Sequence, residues 1–561
     1  MPPGTSRVTA PATIAFLTTA VLAVTGCSSS GDSTANPDAG TLIAFTGAST
    51  DYQINFNPYS PTQIGGIGTI YEPLFFVTLV NTKPYLPRLG TSYSWSDDGT
   101  VLSVVTRDGV TWTDGQPFTA NDVAFTFNML KKNPGINTSG FNGEVAVKDS
   151  THLTITFKDP SFVEAPNLLG KTFIVPEHLW KSVDPNTSVM EKPIGTGPYT
   201  LESFKPQAYT LTANARYWGG APKVTSMRTI ALSGNQAGVN GIAAKTIDWM
   251  TGPVPDIAHV AKTYPGYQAI TIGVNQTVLM TCSNAALGCT GPQTDTAVRK
   301  AIYYALDRTQ INKLAFQDTS SDISPGLALP DRDQAMVSSK LTDRVAPNTA
   351  QPAKATALLE GAGWVKGADG FYAKDGKPLT LTMSVVTGWT DYITALTTMG
   401  EELKAVGIKT TIVQASWNEW SQNRNQGKFQ LLIDSIGTGA APDPYYLYNA
   451  SLNSAYTKPV GQNANPNYAR YTDPAVDAAI AALRRLNPKD TAARQAQFDI
   501  IQQRIEADMP YIPVLTAGTT VVYNAKKFSG WPTRDNLYAF PAVWAAPDNA
   551  QVLVSLSPAG K

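Results

Sequence analysis

Residues 101–115, VLSVVTRDGVTWTDG, alternate apolar and polar positions between turn signals at Asp108-Gly109 and Asp114-Gly115. A period of two predicts a pair of strands. The spacing then changes. Residues 119–132, TANDVAFTFNMLKK, open on a capping box of Thr119 with Asp122, then carry Val123, Phe127 and Leu130 at helical spacing. HLTITF, residues 152–157, predicts another strand. Further along, Val298, Ile302 and Leu306 mark a helix, and Leu358 and Leu359 sit in a short one ended by Gly361. Residues 393–406 predict a helix ended by Gly407. Asp473-Pro474 starts another by cap and proline placement, with Val476, Ile480 and Leu483 on one face. Strand-like and helix-like pieces alternate through the body, which is the mark of an α/β architecture.

The first forty residues follow a different pattern. Arg7 precedes an apolar run over 14–24, interrupted by Thr18 and Thr19. The run is shorter than the ~20 residues a membrane-spanning helix needs, and it suits a signal-peptide core. Val24-Thr25-Gly26-Cys27 is similar to the bacterial lipobox. That resemblance implies a signal peptide over 1–26 and a lipidated Cys27 as the mature N-terminus. Residues 27–40 are then a flexible polar tether. The alternative is plain secretion with an incidental cysteine. In that compartment Cys282 and Cys289, in CSNAALGC, read as a short-loop disulfide, since no CxxC is present. With no second apolar span, the expected place is the outer face of a bacterial cell membrane, held there by lipid.

Composition narrows the function. The 561 residues suggest two or three domains. Lysine plus arginine and aspartate plus glutamate are 43 each, which argues against a nucleic-acid partner. The three histidines, His152, His178 and His259, lack metal-ligand spacing, so neither metal nor cofactor is expected. GTGPY at 195–199 lacks the Lys-Ser/Thr of a phosphate loop and reads as a tight turn. No GxSxG is present, and an enzyme is not expected. A secreted hydrolase using two carboxylates stays open as a rival, as does an envelope sensor or regulator.

Several stretches in order point one way: LPRLGTSYSWSDDGTVLSVVTRDGVTWTDGQPFTANDVAFTFNML, PIGTGPYTLESFKP, NARYWGGAPKV, TIDWM, VRKAIYYALDR and YTDPAVDAAI. Over about residues 41–545 the chain resembles the family 5 solute-binding proteins of ABC importers, the oligopeptide- and dipeptide-binding lipoproteins. The resemblance implies a periplasmic-binding type II fold, with two α/β lobes around a ligand cleft and an extra domain inserted in lobe I. Lobe I is expected over 41–72, 193–291 and 525–561, the insert over 73–192, and lobe II over 292–524. It also implies a monomer that captures an extended solute and hands it to a two-subunit permease with cytoplasmic ATPases. By family the solute is an oligopeptide. VVTGWTDYITALTTMGEELKAVGIKTTIVQASWNEW and KFSGWPTRDNLYAFP are similar to the oligosaccharide-binding branch, so a cello-oligosaccharide-like ligand is the alternative. Peptide-binding relatives carry an aspartate four residues before a proline, where it pairs with the ligand's ammonium. Here that position, counted back from Pro442, is Thr438, and Asp434 and Asp443 are the nearby acids.

An extended solute needs apolar faces to stack on and polar groups to set its register. The expected ligand contacts are Trp249, Trp389, Asp391, Trp417, Asp434, Thr438, Tyr445 and Tyr446, with Phe56 and Asn57 on the floor of the first lobe. Trp389 lies where an alternating strand gives way to a helix, the edge at which clefts open in α/β sheets. For each aromatic, plain core packing is the competing reading.

Overall fold

A computed structural model describes residues 40–560 apart from 48–49, 81–84 and 438. The expected signal peptide, Cys27, the tether up to residue 39 and Thr438 lie outside the described residues. Among the described residues no helix is long and apolar enough to cross a membrane.

A ten-stranded sheet organises the chain. Its spatial order is Lys409–Ala415, Thr380–Val386, Leu431–Ile436, Tyr267–Thr281, Tyr511–Asn524, Trp249–Thr251, Thr41–Phe45, Ser226–Ile230, Ala208–Ala213 and Tyr199–Lys205. The two central strands are the longest, and they pair antiparallel from Tyr267 opposite Asn524 to Met280 opposite Tyr511. Register shifts fall at Gly273/Asn275 and Thr277/Val278. Around those shifts the two strands change core. Ile270, Ile272, Val274 and Val521 pack in one hydrophobic core, while Val278, Met280, Ile512 and Val514 pack in another. The sheet thus has a first half and a second half joined by two shared strands. Gly518 lets the chain through this crossing: a Cβ there would sit 2.6 Å from the Thr319 carbonyl oxygen.

The second half is α/β by sequence logic. Thr380–Val386 alternates, with Leu381, Met383 and Val385 fully buried. Helix Thr390–Ala405 follows and lays Ala395, Leu396, Met399 and Leu403 on the same core. Helix Pro474–Arg485 starts where Asp473 accepts hydrogen bonds from the amides of Ala475 and Val476, with Pro474 at its first position.

A separate four-stranded antiparallel sheet, ordered Gly90–Trp95, Val101–Thr106, His152–Thr156, Glu144–Val147, has its own core with helix Ala120–Lys132. Thr119 and Asp122 form the capping box of that helix. The expected strand pair over 101–115 needs correction, because only its first member forms. After Asp108-Gly109 the chain makes a single bridge, Thr111 with Pro117. Trp112 turns fully into the small core, and Pro117 has no N–H to extend a ladder. The small sheet is tied to the first half where the Arg107 guanidinium covers Trp218 at 4.0 Å, and Trp218 Nε1 in turn donates to the buried Glu72 carboxylate at 2.8 Å.

The expected end of lobe I at residue 291 also differs from the packing. Val278, Leu279, Met280, Cys282 and Cys289 all lie in the second core, because strand Tyr267–Thr281 runs through both halves. Cys282 and Cys289 are bridged, with Cα atoms 5.5 Å apart. Replacing both by alanine is expected to cost about 2–3 kcal/mol through loop entropy. A denaturant titration of the oxidised and variant chains measures this, and equal midpoints would refute it.

Candidate functional site

Strand direction locates the site. Thr41–Phe45 runs parallel to Ser226–Ile230 and to Trp249–Thr251 in the first half. Thr380–Val386 runs parallel to Lys409–Ala415 and Leu431–Ile436 in the second. Ligands of open α/β sheets bind outside the carboxyl ends of such strands. Here the carboxyl ends from the two halves face one another. The Asn235 amide donates to the Gly388 carbonyl at 3.2 Å. Trp389 Nε1 donates to the Gly47 carbonyl at 3.3 Å, and Asn235 Nδ2 to Asp391 Oδ1 at 3.3 Å. Gly388 has φ of +85°, and a Cβ on it would stand 2.7 Å from the Ser233 carbonyl oxygen. Glycine is required there for the two backbones to meet.

On the second-half side an aromatic cluster borders this seam. Trp389 is half-buried, with its ring centroid 5.7 Å from Trp417 and from Tyr392 and 5.5 Å from Trp420. Trp417 is also half-buried, and it stacks on Trp420 at 5.5 Å and 27°. The Arg424 guanidinium covers Trp420 at 4.8 Å and Tyr468 at 4.5 Å, and its Nη1 reaches Asp434 Oδ2 at 2.6 Å. Burial pushes the Asp434 carboxyl up, and the Arg424 charge opposes the shift. Asp391 differs: burial pushes it up to about 6, with hydrogen bonds from Asn235 and nearby backbone opposing. Among the described residues it has no ion-pair partner.

The structure separates the expected contacts into two groups. Trp389, Asp391, Trp417 and Asp434 come together in or beside the seam. Phe56, Asn57, Trp249 and Tyr445 do not. Phe56 is fully buried, edge-on to Phe204 and Tyr209. Asn57 is fully buried as well and spends both amide protons on the carbonyls of Pro185 and Ser188 at 2.9 Å. Trp249 is buried in the first core, where its Nε1 donates to Pro541 O at 2.8 Å and its ring meets Trp531 at 5.5 Å. Tyr445 sits in the second core. Tyr446 is buried and donates to the Val163 carbonyl at 2.8 Å, a contact with the small-sheet region. Asp443 caps helix Pro444–Leu452 and pairs with Arg494 at 2.5 Å. Trp420, Tyr392, Arg424 and Asn235 were not foreseen. The repeat Trp417-Asn418-Glu419-Trp420, three apart on one helix face, signals the first of them.

Each histidine lies beside an aspartate of its own: His152 with Asp149, His178 with Asp114, His259 with Asp256. Among the described residues no three or more His, Cys, Asp or Glu gather as a metal site. A cavity of about 410 Å³ opens against Ile270, Tyr523, Trp531 and Arg534. All its lining comes from the first half, away from the seam.

Comparison with known proteins agrees with this geometry. Residues 85–458 match the family model of bacterial extracellular solute-binding proteins, family 5 Middle. The chain is 27% identical over 427 residues to Protein XP55 of Streptomyces lividans, covering 74% of this chain and 73% of that one. It is 24% identical over 521 residues to the oligopeptide-binding protein AppA of Bacillus subtilis (strain 168), covering 86% and 91%. The mannohexaose-bound periplasmic oligopeptide-binding protein of Thermotoga maritima superposes with a TM-score of 0.84 at 24% identity, over 93% of this chain and 99% of that one. The fold is therefore the type II periplasmic-binding fold, as expected. This chain belongs to family 5 of the bacterial extracellular solute-binding proteins.

Proposed function

We propose that this protein is the lipid-anchored, extracytoplasmic receptor of an ABC importer. It captures an extended neutral oligosaccharide between its lobes and presents it to the permease by lobe closure. The observation that carries the ligand class is the state of the acids. Asp434 is already paired with Arg424 and Asp443 with Arg494, while half-buried Trp389 and Trp417 offer ring faces beside the seam. Sugar C–H faces stack on such rings, and neither Asp434 nor Asp443 needs an ammonium to balance its charge. The Thermotoga maritima relative, named as an oligopeptide-binding protein, holds mannohexaose. The family consists of binding proteins, which supports capture without turnover.

One observation favours the oligopeptide reading: Asp391 is a seam carboxylate without a cation among the described residues, and a peptide ammonium would supply one. A thermal-shift screen with β- and α-linked oligosaccharides and with tri- to pentapeptides separates the two. A ligand at ~100 times its Kd stabilises by about 2.7 kcal/mol. The expected shift comes from oligosaccharides alone, and Trp389→Ala weakens that binding about tenfold or more, ~1.4 kcal/mol. A shift from peptides alone, abolished by Asp391→Asn, would overturn the oligosaccharide reading.

A further inference from the structure

The seam at Trp389 is not the only place where the second half grips the rest of the chain. Val163 follows the small sheet in sequence, yet it packs in the second core. Tyr446 Oη donates to its carbonyl at 2.8 Å. Next to it, Arg484 Nε on helix Pro474–Arg485 lies 3.0 Å from Glu164 Oε1, with side-chain exposures of 33% and 5%. Arg485 and Asp159 add a pair at 3.3 Å, more than half exposed on both sides. A surface pair of that kind contributes little. The Glu164 pair is different, because its carboxylate is buried and burial raises its pKa against the Arg484 charge.

The small sheet is fastened to the first half by Arg107, whose guanidinium covers Trp218 at 4.0 Å, and by the Thr113 amide, which donates to the Gly195 carbonyl at 3.0 Å, so any separation of the halves must break the contacts of Val163 and Glu164. A surface groove of about 120 Å³ runs beside the joint, with exposed Lys158, Asp159 and Ala481 and half-buried Arg484 in its lining. We propose that Arg484–Glu164 and Tyr446–Val163 form a latch that holds the closed state, separate from the seam that contacts solute. This rests on the reading that the lobes open and close around a ligand. In the open state both charges are solvated. In the closed state Glu164 is buried, and that is tolerable only while Arg484 faces it. The latch therefore sets how long solute stays enclosed, without touching it.

The test uses the full chain as wild type, Arg484→Gln, and Arg484→Gln with Glu164→Gln. The single variant buries an unpaired carboxylate on closure, whereas the double variant buries none. Small-angle scattering without ligand is expected to give a larger radius of gyration for the single variant and a wild-type radius for the double. With any solute found in the screen, dissociation is expected to be about tenfold faster in the single variant and restored in the double. Circular dichroism melts check that each chain is folded. A single variant with wild-type radius and dissociation rate would overturn the latch. So would a double variant as open as the single one, which would reduce Arg484 to a packing residue. If no solute in the screen binds, the proposed function fails, while the scattering comparison still decides the latch.

Discussion

Arg424→Met is expected to destabilise the protein by about 3–5 kcal/mol, the usual cost of leaving one member of a buried ion pair alone. The side chains of Arg424 and Asp434 are only 15% and 13% exposed, and their 2.6 Å contact is charge-assisted. Removing the guanidinium leaves the Asp434 carboxylate in a site where burial already disfavours charge. It also uncovers the faces of Trp420 and Tyr468, each of which loses a cation–π partner. The mechanism makes a second, sharper statement. Arg424→Met combined with Asp434→Leu removes both charges and should recover most of the loss. Urea titrations of the two variants read this directly. A single variant within 1 kcal/mol of wild type, or a double variant no better than the single, would show that the pair does not govern this part of the molecule.

Trp249→Ala is expected to cost about 3–5 kcal/mol, in the range for emptying a buried tryptophan site. Trp249 is wholly buried, its ring meets Trp531, and its N–H satisfies the Pro541 carbonyl. The alanine variant leaves a cavity and an unpaired carbonyl together. Stability should fall with no change in ligand affinity of the folded fraction. Calorimetry paired with a binding titration tests both halves of the statement. Weakened binding at unchanged stability would return Trp249 to the ligand contacts. Trp389→Ala is expected to do the reverse, losing affinity more than stability, because that ring is half-buried and reaches across the seam to Gly47.

This contrast between two tryptophans shows what a linear sequence conveys. Both sit in stretches typical of the family, yet Trp249 opens a strand inside the first core, whereas Trp389 lies past the carboxyl end of Thr380–Val386 and faces the other half of the molecule. Period-two alternation with buried Leu381, Met383 and Val385 is a local property, and so is the capping box of Thr119 and Asp122. Such features are written in neighbouring residues, so the α/β class and many element positions were legible. The ordered family motifs extended that to the two-lobed fold with its insert.

Other features needed distant residues to meet. Asp434 looks like a free acid in sequence. It is paired because Arg424, ten residues earlier on helix Trp417–Gln426, folds back onto strand Leu431–Ile436. Tyr446 reads as a cleft aromatic and is in fact spent on Val163, 283 residues away in the chain. The lobe boundary belongs to the same class. A strand that leaves one core and enters the next shows no break in its apolar pattern, so the change of partner is invisible until the register shifts at Gly273 and Thr277 are seen. The sequence by itself determined the element types, the family and a pool of aromatic and acidic side chains, because local spacing and ordered motifs carry those. Tertiary structure alone decided which of those side chains reach the seam, since burial and charge pairing depend on the strands and helices that folding brings alongside.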